Sequence, residues 1–170
     1  MKKILFAASE AVPFMKTGGL ADVTGSLPKY FDKKNYDVRV ILPKYVCMEE
    51  RWKGQLHFLC HFYVNLSWRK QYVGIFETTY DGITYYLVDN EFYFAGNAPY
   101  NNIYEDVEKF AFFSKAVLEA LPYLDFCPDI IHCHDWQTGL LPVFLRTLYG
   151  DEEYYTGIKT VFSIHNLKFQ

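Results

Sequence analysis

The sequence has no long apolar run, although hydrophobic residues make up 51% of its 170 positions. No stretch approaches the roughly 18 consecutive apolar residues that a membrane-spanning helix requires. The opening MKKILFAASEA imitates a secretory signal, but its apolar stretch covers only residues 4–8 and stops at Ser9 and Glu10. A signal peptide needs a longer hydrophobic region. We therefore expect neither a membrane span nor a cleaved signal.

The sequence is also poor in positive charge and in cysteine. The formal net charge is -3, without a long run of lysine or arginine. It therefore lacks the electrostatic footprint of a nucleic-acid binder or of a polybasic membrane surface. The sparse cysteines form no C-x-x-C motif, which favours free thiols in a reducing compartment, and we expect a cytoplasmic protein. The four cysteines are Cys47, Cys60, Cys127 and Cys133.

Short, continuously apolar segments alternate with helical patterns along the chain. Such segments are typical of parallel strands that are covered on both faces. Strand and helix in alternation form right-handed βαβ units, and this length suffices for one core. We therefore predict a single doubly wound, Rossmann-like α/β domain with a mostly parallel sheet. The predicted strands are 3–8, 38–42, 129–134 and 159–164, and the predicted helices are 20–31, 107–121 and 139–148.

Residues 55–94 interrupt this alternation. The segments LHFLCHFYVNL, QYVGIFETTY and ITYYLVDNEFYF are aromatic and β-branched, and YDG separates the last two as a turn signal. This pattern predicts an antiparallel hairpin or meander inserted into the parallel sheet. His57 and His61 fall in this region, and we interpret them as hairpin residues.

Polar motifs follow three of the predicted parallel strands. SEAVPFMKTGG follows the first strand, HDWQTG follows the strand at 129–134, and HN follows the strand at 159–164. Doubly wound sheets bind ligands beyond the carboxyl ends of their strands. We therefore expect the three motifs to lie at the same edge of the sheet.

The first motif has the chemistry of a phosphate or sugar site. Gly18 and Gly19 allow backbone N–H groups to approach an anion, and the helix that begins near residue 20 adds unpaired donors and a positive dipole end. Lys16 adds a charge and Thr17 a hydroxyl. The motif matches neither the dinucleotide-binding nor the Walker pattern. An ordinary strand-to-helix loop with a solvated lysine remains the alternative.

The second motif, HCHDWQTG, leaves two interpretations open. His132 and His134 share one face of their strand, and Cys133 faces the other way. The spacing supplies no third ligand for a metal site. Asp135 follows the strand and either caps the next helix or faces a ligand.

The third motif is a histidine followed by an asparagine. His165 can donate or accept a hydrogen bond and Asn166 carries an amide, so the pair suits sugar hydroxyls. Taken alone, a histidine at such a position is more often structural. Aromatic rings stack on sugars and make up 19% of the sequence, but most lie in apolar patterns that indicate core or hairpin cover.

Four stretches carry a family resemblance: SEAVPFMKTGGLADV (9–23), EKFAFFSKAVLE (108–119), DIIHCHDWQTGLLP (129–142) and FSIHNLKFQ (162–170). Together they resemble glycosyltransferase family 5, the bacterial glycogen synthases and plant starch synthases. The lysine with two glycines, the His-Asp-Trp and the His-Asn are specific in combination. Lys109 stands where the family is expected to have arginine, a departure that affects no site residue.

The resemblance implies the amino-terminal half of a two-domain GT-B enzyme. Such an enzyme transfers glucose from ADP-glucose to the 4-hydroxyl of an α-1,4-glucan acceptor with retention at the anomeric carbon. Residues 1–170 would form the amino-terminal, glucan-facing Rossmann-like domain, truncated. The carboxyl-terminal nucleotide-binding domain would be a partner absent from this chain, and this chain alone would be inactive. Neither a metal nor a cofactor is implied.

The resemblance also implies roles for residues of the three motifs. Lys16 and the amides of Gly18 and Gly19 would meet the diphosphate and sugar of the donor, with Thr17 beside them. A non-catalytic module that binds an anion, a nucleotide or a glucan remains the alternative function.

In this scheme the second and third motifs bind the sugar. Asp135 would lie near the reacting glucose and the acceptor. His165 would contact the donor sugar through its main-chain carbonyl as well as its ring, with Asn166 beside it. The residues expected to be catalytic are Lys16, Asp135 and His165.

Overall fold

The computed structural model describes residues 1–166 and places seven strands in one mixed sheet. Residues 167–170, the end of the FSIHNLKFQ motif, lie outside the described residues. The strands are β1 (Lys2–Ala7), β2 (Tyr36–Pro43), β3 (His57–Leu66), β4 (Arg69–Tyr80), β5 (Ile83–Asp89), β6 (Ile130–His134) and β7 (Lys159–Ser163). Their order across the sheet is β3-β4-β5-β2-β1-β6-β7.

The parallel part of the sheet is confirmed. β1 pairs in parallel with β2 on one side and with β6 on the other, β6 pairs in parallel with β7, and β2 pairs in parallel with β5. All four predicted strands are present, and β2 extends the predicted segment at both ends. The carboxyl ends of these parallel strands therefore point to one edge of the sheet.

Residues 1–166 contain four α-helices, and three of them were predicted. The longest, α3, begins earlier than the predicted 107 because the side chain of Asn102 accepts a hydrogen bond from the Glu105 N–H at 3.1 Å. The first helix stops at Ser26 and continues as a 3₁₀ turn that contains Pro28. Within residues 1–166 no helix combines the length and the apolar composition that crossing a membrane takes. The helices are α1 (Gly19–Ser26), α2 (Glu50–Lys53, not predicted), α3 (Ile103–Ala120) and α4 (Leu140–Thr147).

The predicted antiparallel meander consists of β3, β4 and β5. It is inserted in the chain between β2 and α3, but in the sheet it occupies one edge, because only β5 pairs with the parallel part. Asp81 and Gly82 both have positive φ, 54° and 73°, as a type I′ hairpin turn requires. His61 stacks on the ring of Tyr72 at 5.9 Å, which confirms its interpretation as a hairpin residue.

Each face of the sheet has its own hydrophobic core. One core joins the sheet to α3 and α4 and contains Phe113, Leu145 and Cys133. The other lies under the loop after β1 and under α2, and contains Phe6 and Phe14. Cys133 belongs to the first core, whereas His132 packs against Phe6 of the second. The alternation predicted for this strand is therefore confirmed.

Helix α1 approaches the loop after β1 so closely that one position has no room for a side chain. A Cβ at Gly25 would lie 2.4 Å from both the carbonyl oxygen and Cγ2 of Val12. Two hydrogen bonds hold the same contact, from Val12 N–H to the Ala21 carbonyl at 3.1 Å and from Thr24 Oγ1 to the Glu10 carbonyl at 2.6 Å. This docking fixes the segment KTGG between β1 and α1.

Gly25→Ala is expected to destabilise the protein by about 1–3 kcal/mol, the usual cost of overpacking, although alanine favours a helix over glycine. Gly19→Ala in the same helix is the matched control, because a Cβ there would meet nothing within 4 Å. Its stability should stay the same or rise by up to about 1 kcal/mol. Denaturant unfolding measures both, and equal stabilities would show that the contact at Gly25 does not constrain α1.

Candidate active-site cleft

A cleft of about 490 Å³ opens at the carboxyl ends of β1, β6 and β7. The three motifs meet there because these strands are neighbours in the sheet. All the predicted site residues except Lys16 line it, together with side chains that the sequence did not single out. The lining residues are Glu10, Thr17, Gly18, Gly19, Leu20, Val23, Tyr100, Asp135, Trp136, Gln137, His165 and Asn166.

Glu10 fastens the loop after β1 from inside the cleft. This residue is only 3% exposed, and its carboxylate accepts hydrogen bonds from the Thr17 N–H, from Thr17 Oγ1 at 2.8 Å and from the Tyr100 hydroxyl at 2.6 Å. The three donors satisfy a buried charge that would otherwise be costly. A lone carboxylate directly after an apolar parallel strand was the signal for Glu10 in the sequence.

Tyr100 reaches the cleft from the segment between β5 and α3. Burial, with the negative charge of Glu10 beside it, raises the pKa of Tyr100 well above its usual value, so the hydroxyl remains a donor. It also lies 2.8 Å from Ser9 Oγ. No motif near Tyr100 marks it as a site residue, because its partners lie about ninety positions earlier in the chain.

Gly18 and Gly19 leave an open surface at the start of α1. Gly18 is the N-cap residue in an extended conformation, and no side chain caps the helix there. A Cβ at either glycine would meet nothing within 4 Å, so packing among the described residues does not require glycine. The first N–H groups and the positive dipole end of α1 favour an anion at this point.

Lys16 does not line the cleft, although the residue after it, Thr17, does. Its Nζ contacts both carboxylate oxygens of Asp22, at 2.7 and 2.8 Å, and both side chains are 53% exposed. This arrangement is the one that the solvated-lysine alternative describes. Because an exposed ion pair contributes only about 0–1 kcal/mol, Lys16 can exchange Asp22 for another anion at little cost.

Asp135 joins the ends of β6 and β7. Its N–H donates to the Ser163 carbonyl at 2.9 Å, and its Oδ1 accepts from the His165 N–H at 3.0 Å. The side chain makes no capping bond to the 3₁₀ turn Trp136–Thr138 that follows. The capping interpretation is therefore wrong, and the carboxylate faces the cleft.

The backbone of Asp135 is strained. Its φ of 62° with ψ of 179° is a conformation that glycine adopts far more easily than other residues, and it costs roughly 1–3 kcal/mol. Strain of this kind persists where surrounding contacts hold the residue in place. Here the contacts to Ser163 and His165 aim the carboxylate into the cleft.

Three histidine rings stack behind this carboxylate. The centroids of His132 and His134 are 4.1 Å apart and those of His134 and His165 are 5.2 Å apart. Burial, together with the charges of the neighbouring histidines, lowers the pKa of His134 to about 3, and burial also lowers the pKa of His132. Across residues 1–166 we find no set of three or more His, Cys, Asp or Glu side chains arranged to hold a metal ion.

The cleft thus presents two kinds of chemistry side by side. The first N–H groups of α1 offer donors to an anion. Asp135 and His165 offer acceptors and ring nitrogens to hydroxyl groups. A molecule that carries both an anionic part and a polyhydroxyl part would match this arrangement.

Comparison with known proteins identifies the family of the chain. The sequence matches the family described as starch synthase catalytic domain over residues 3–170. It is 67% identical over 170 residues to glycogen synthase of Lachnoclostridium phytofermentans, covering all of this chain and 36% of that protein. It is 62% identical, with the same coverage, to glycogen synthase of Lachnospira eligens.

A solved structure has the same fold. The catalytic domain of starch synthase IV from Arabidopsis thaliana, bound to ADP and acarbose, superimposes with a TM-score of 0.84 and 30% sequence identity. The match covers 97% of this chain and 34% of that one, so the chain spans about a third of the length of these relatives. On sequence and on fold alike, the chain belongs to the starch synthase catalytic domain family.

Proposed function

We propose that the chain is the amino-terminal, glucan-facing domain of a glycogen or starch synthase. In this proposal the complete enzyme transfers glucose from ADP-glucose to the 4-hydroxyl of an α-1,4-glucan with retention at the anomeric carbon. A carboxyl-terminal nucleotide-binding domain of the same protein supplies the opposite wall of the cleft. The relatives that match this chain are named glycogen synthase and are nearly three times as long.

The observation that carries the proposal is the meeting of Thr17, Gly18 and Gly19 with Asp135 and His165 in one cleft. The first motif lies more than a hundred positions before Asp135 and His165 in the sequence, and the sheet brings them together. The related starch synthase IV structure has ADP and acarbose bound. An anion site next to a hydroxyl site is what a sugar nucleotide and a glucan require.

Departure of the diphosphate is the step that the first loop would assist. Negative charge builds on the diphosphate as the bond to glucose breaks, so fixed donors at that place stabilise the transition state. The α1 amides are already in position, and Lys16 would turn from Asp22 to the diphosphate. The exposed ion pair thereby serves as a resting position for the lysine.

The sugar would lie against the carboxylate side of the cleft. Asp135 can accept hydrogen bonds from glucose or acceptor hydroxyls, because a carboxylate has more acceptor positions than its bond to His165 N–H uses. Its negative charge also suits the positive, oxocarbenium-like glucosyl group that forms in the transition state. His165, with Asn166 beside it, would contact the donor sugar.

We also propose that the protein works in the cytoplasm. The cysteines are free thiols, and Cys133 is buried in the core under α3 and α4. Burial raises the pKa of Cys133 to about 12, so it is an unreactive thiol at neutral pH. Free thiols are typical of a reducing compartment.

The 170-residue chain should not extend glucan by itself, because one wall of the proposed cleft belongs to another domain. The test incubates the chain with ADP-glucose and glycogen, with a full-length protein that contains it as the positive control. Sustained elongation at the roughly 1 s⁻¹ or faster that is usual for enzymes would contradict the proposal that this chain forms only one wall of the active site.

Binding of ADP to the chain separates this function from a stand-alone binding module. The cleft itself holds two carboxylates, Glu10 and Asp135, and Lys16, which precedes the cleft-lining Thr17, is paired with Asp22. We expect a dissociation constant on the order of millimolar or weaker, equivalent to about 4 kcal/mol or less. Micromolar binding of ADP, measured by calorimetry, would favour the stand-alone binding module.

Lys16→Gln in the full-length protein should lower kcat by about 10²-fold, since one positive charge at a developing anion contributes roughly 3 kcal/mol. The matched control is Lys29→Gln, because Lys29 is another surface lysine paired with an aspartate, Asp81, at 2.6 Å. Both variants should unfold within about 0.5–1 kcal/mol of the original protein. A wild-type kcat for Lys16→Gln would show that Lys16 is a solvated loop residue with no part in turnover.

Gly19→Ala should leave the fold intact and still impair turnover. The added methyl group meets nothing within 4 Å among the described residues, so any loss must come from the space it takes from a ligand. We expect a rise in KM for ADP-glucose or a fall in kcat of about 10-fold or more, since a displacement of about 1 Å can cost 10²-fold. Unchanged kinetics would show that no ligand approaches this part of the loop.

A further inference from the structure

His134 lies directly behind the cleft without lining it. The residue is fully buried, and its ring packs against Phe6 at 4.9 Å as well as against the rings of His132 and His165. Among the described residues that line the cleft, His165 is the one in hydrogen-bond contact with its ring. An effect of the His134 ring that is transmitted by hydrogen bonding therefore passes through His165.

A single hydrogen bond links the two rings. His134 Nδ1 lies 2.9 Å from His165 Nε2, which is a normal hydrogen-bond length and requires one proton between them. The ring of His134 is neutral at physiological pH because burial lowers its pKa to about 3. A neutral imidazole has one N–H and one bare nitrogen, so only two arrangements exist.

The surroundings of His134 Nε2 distinguish these arrangements. This atom is buried, and no hydrogen-bond partner exists for it among residues 1–166. If His134 carried its proton on Nε2, a buried N–H donor would have no acceptor, which is rare in proteins and costs about 1–3 kcal/mol. If the proton is on Nδ1, that donor is satisfied by His165, and only a bare nitrogen is left without a partner.

We infer that His134 is a positioning residue that donates its Nδ1–H to His165 Nε2 and so holds His165 in the Nδ1–H tautomer. The bond occupies Nε2 of His165 as an acceptor, and the single proton of that ring must therefore be on Nδ1. His165 then has a donor, not an acceptor, left for a sugar oxygen. Its main chain is fixed separately by the bond from its N–H to Asp135 Oδ1.

This inference rests on the proposed function only in assigning the sugar as the ligand of His165. The tautomers themselves belong to the folded protein and are measured without substrate. In a protein labelled with ¹⁵N, long-range ¹H–¹⁵N correlation spectra distinguish the two neutral tautomers of each ring. The chain has 5 histidines, so single substitutions assign every signal.

The unsubstituted protein should show His134 and His165 both as Nδ1–H tautomers. His134→Leu puts an aliphatic side chain of similar size in place of the ring and removes the donor. The His165 signals should then move toward the Nε2–H tautomer. His134→Asn places an amide N–H close to the former Nδ1 position and should restore the Nδ1–H tautomer of His165. A backbone correlation spectrum checks that each variant is folded.

His132→Leu is the matched control. His132 is on the same face of β6 and packs against the same Phe6 ring, but its Nε2 pairs with Ser163 Oγ at 2.7 Å instead of with His165. Its replacement should leave the His165 tautomer and the activity close to those of the original protein. A role that depends only on packing would make the two leucine variants equivalent.

Kinetics of a full-length protein that contains the chain complete the test. His134→Leu should lower kcat by about 10-fold or more, the usual effect of removing an outer partner of a site residue, with recovery in His134→Asn. The inference is overturned if His165 is the Nε2–H tautomer in the original protein or keeps its tautomer in His134→Leu. If the tautomers are as expected but no glucose is transferred, the proposed function fails while the hydrogen-bond assignment stands.

Discussion

The cleft depends on the position of β6 between β1 and β7. Parallel pairing sets Phe6 beside His132 and His134 beside Ser163, so the chain leaves all three strands at the same height. One residue later, the Asp135 N–H extends the pairing to the Ser163 carbonyl. The strained backbone of Asp135 then turns its carboxylate to the His165 N–H. Asp135 and His165 are therefore both placed by this junction.

Three buried polar residues lie at or beside this junction. Glu10, His134 and Asp135 are all nearly inaccessible to solvent, in a sheet whose two cores are otherwise aliphatic and aromatic. Each polar group is costly to bury unless it is paired, and the pairings fix the geometry: Glu10 fixes the loop, Asp135 the main chain of His165, and His134 its ring. Proteins commonly retain energetically unfavourable groups of this kind at functional sites.

The charge of the cleft is consistent with the second domain that we propose. Glu10 and Asp135 bring negative charge into the cavity, while Lys16 stands outside it with Asp22. Such a wall suits neutral sugar hydroxyls and a positive glucosyl group better than a diphosphate. The remaining positive charge for the nucleotide would then come from the opposite wall.

The sequence by itself determined the parallel strands, the meander and the edge at which the three motifs meet. These follow from local patterns: continuous apolar runs, aromatic alternation, a turn signal at Asp81 and Gly82, and the rule for carboxyl ends of parallel strands. Only the tertiary structure decided the roles of Glu10, Tyr100 and His134. Their partners lie elsewhere in the chain, and hydrogen bonds between distant residues leave no periodic trace. For the same reason, the choice between capping and ligand contact at Asp135 required the position of His165.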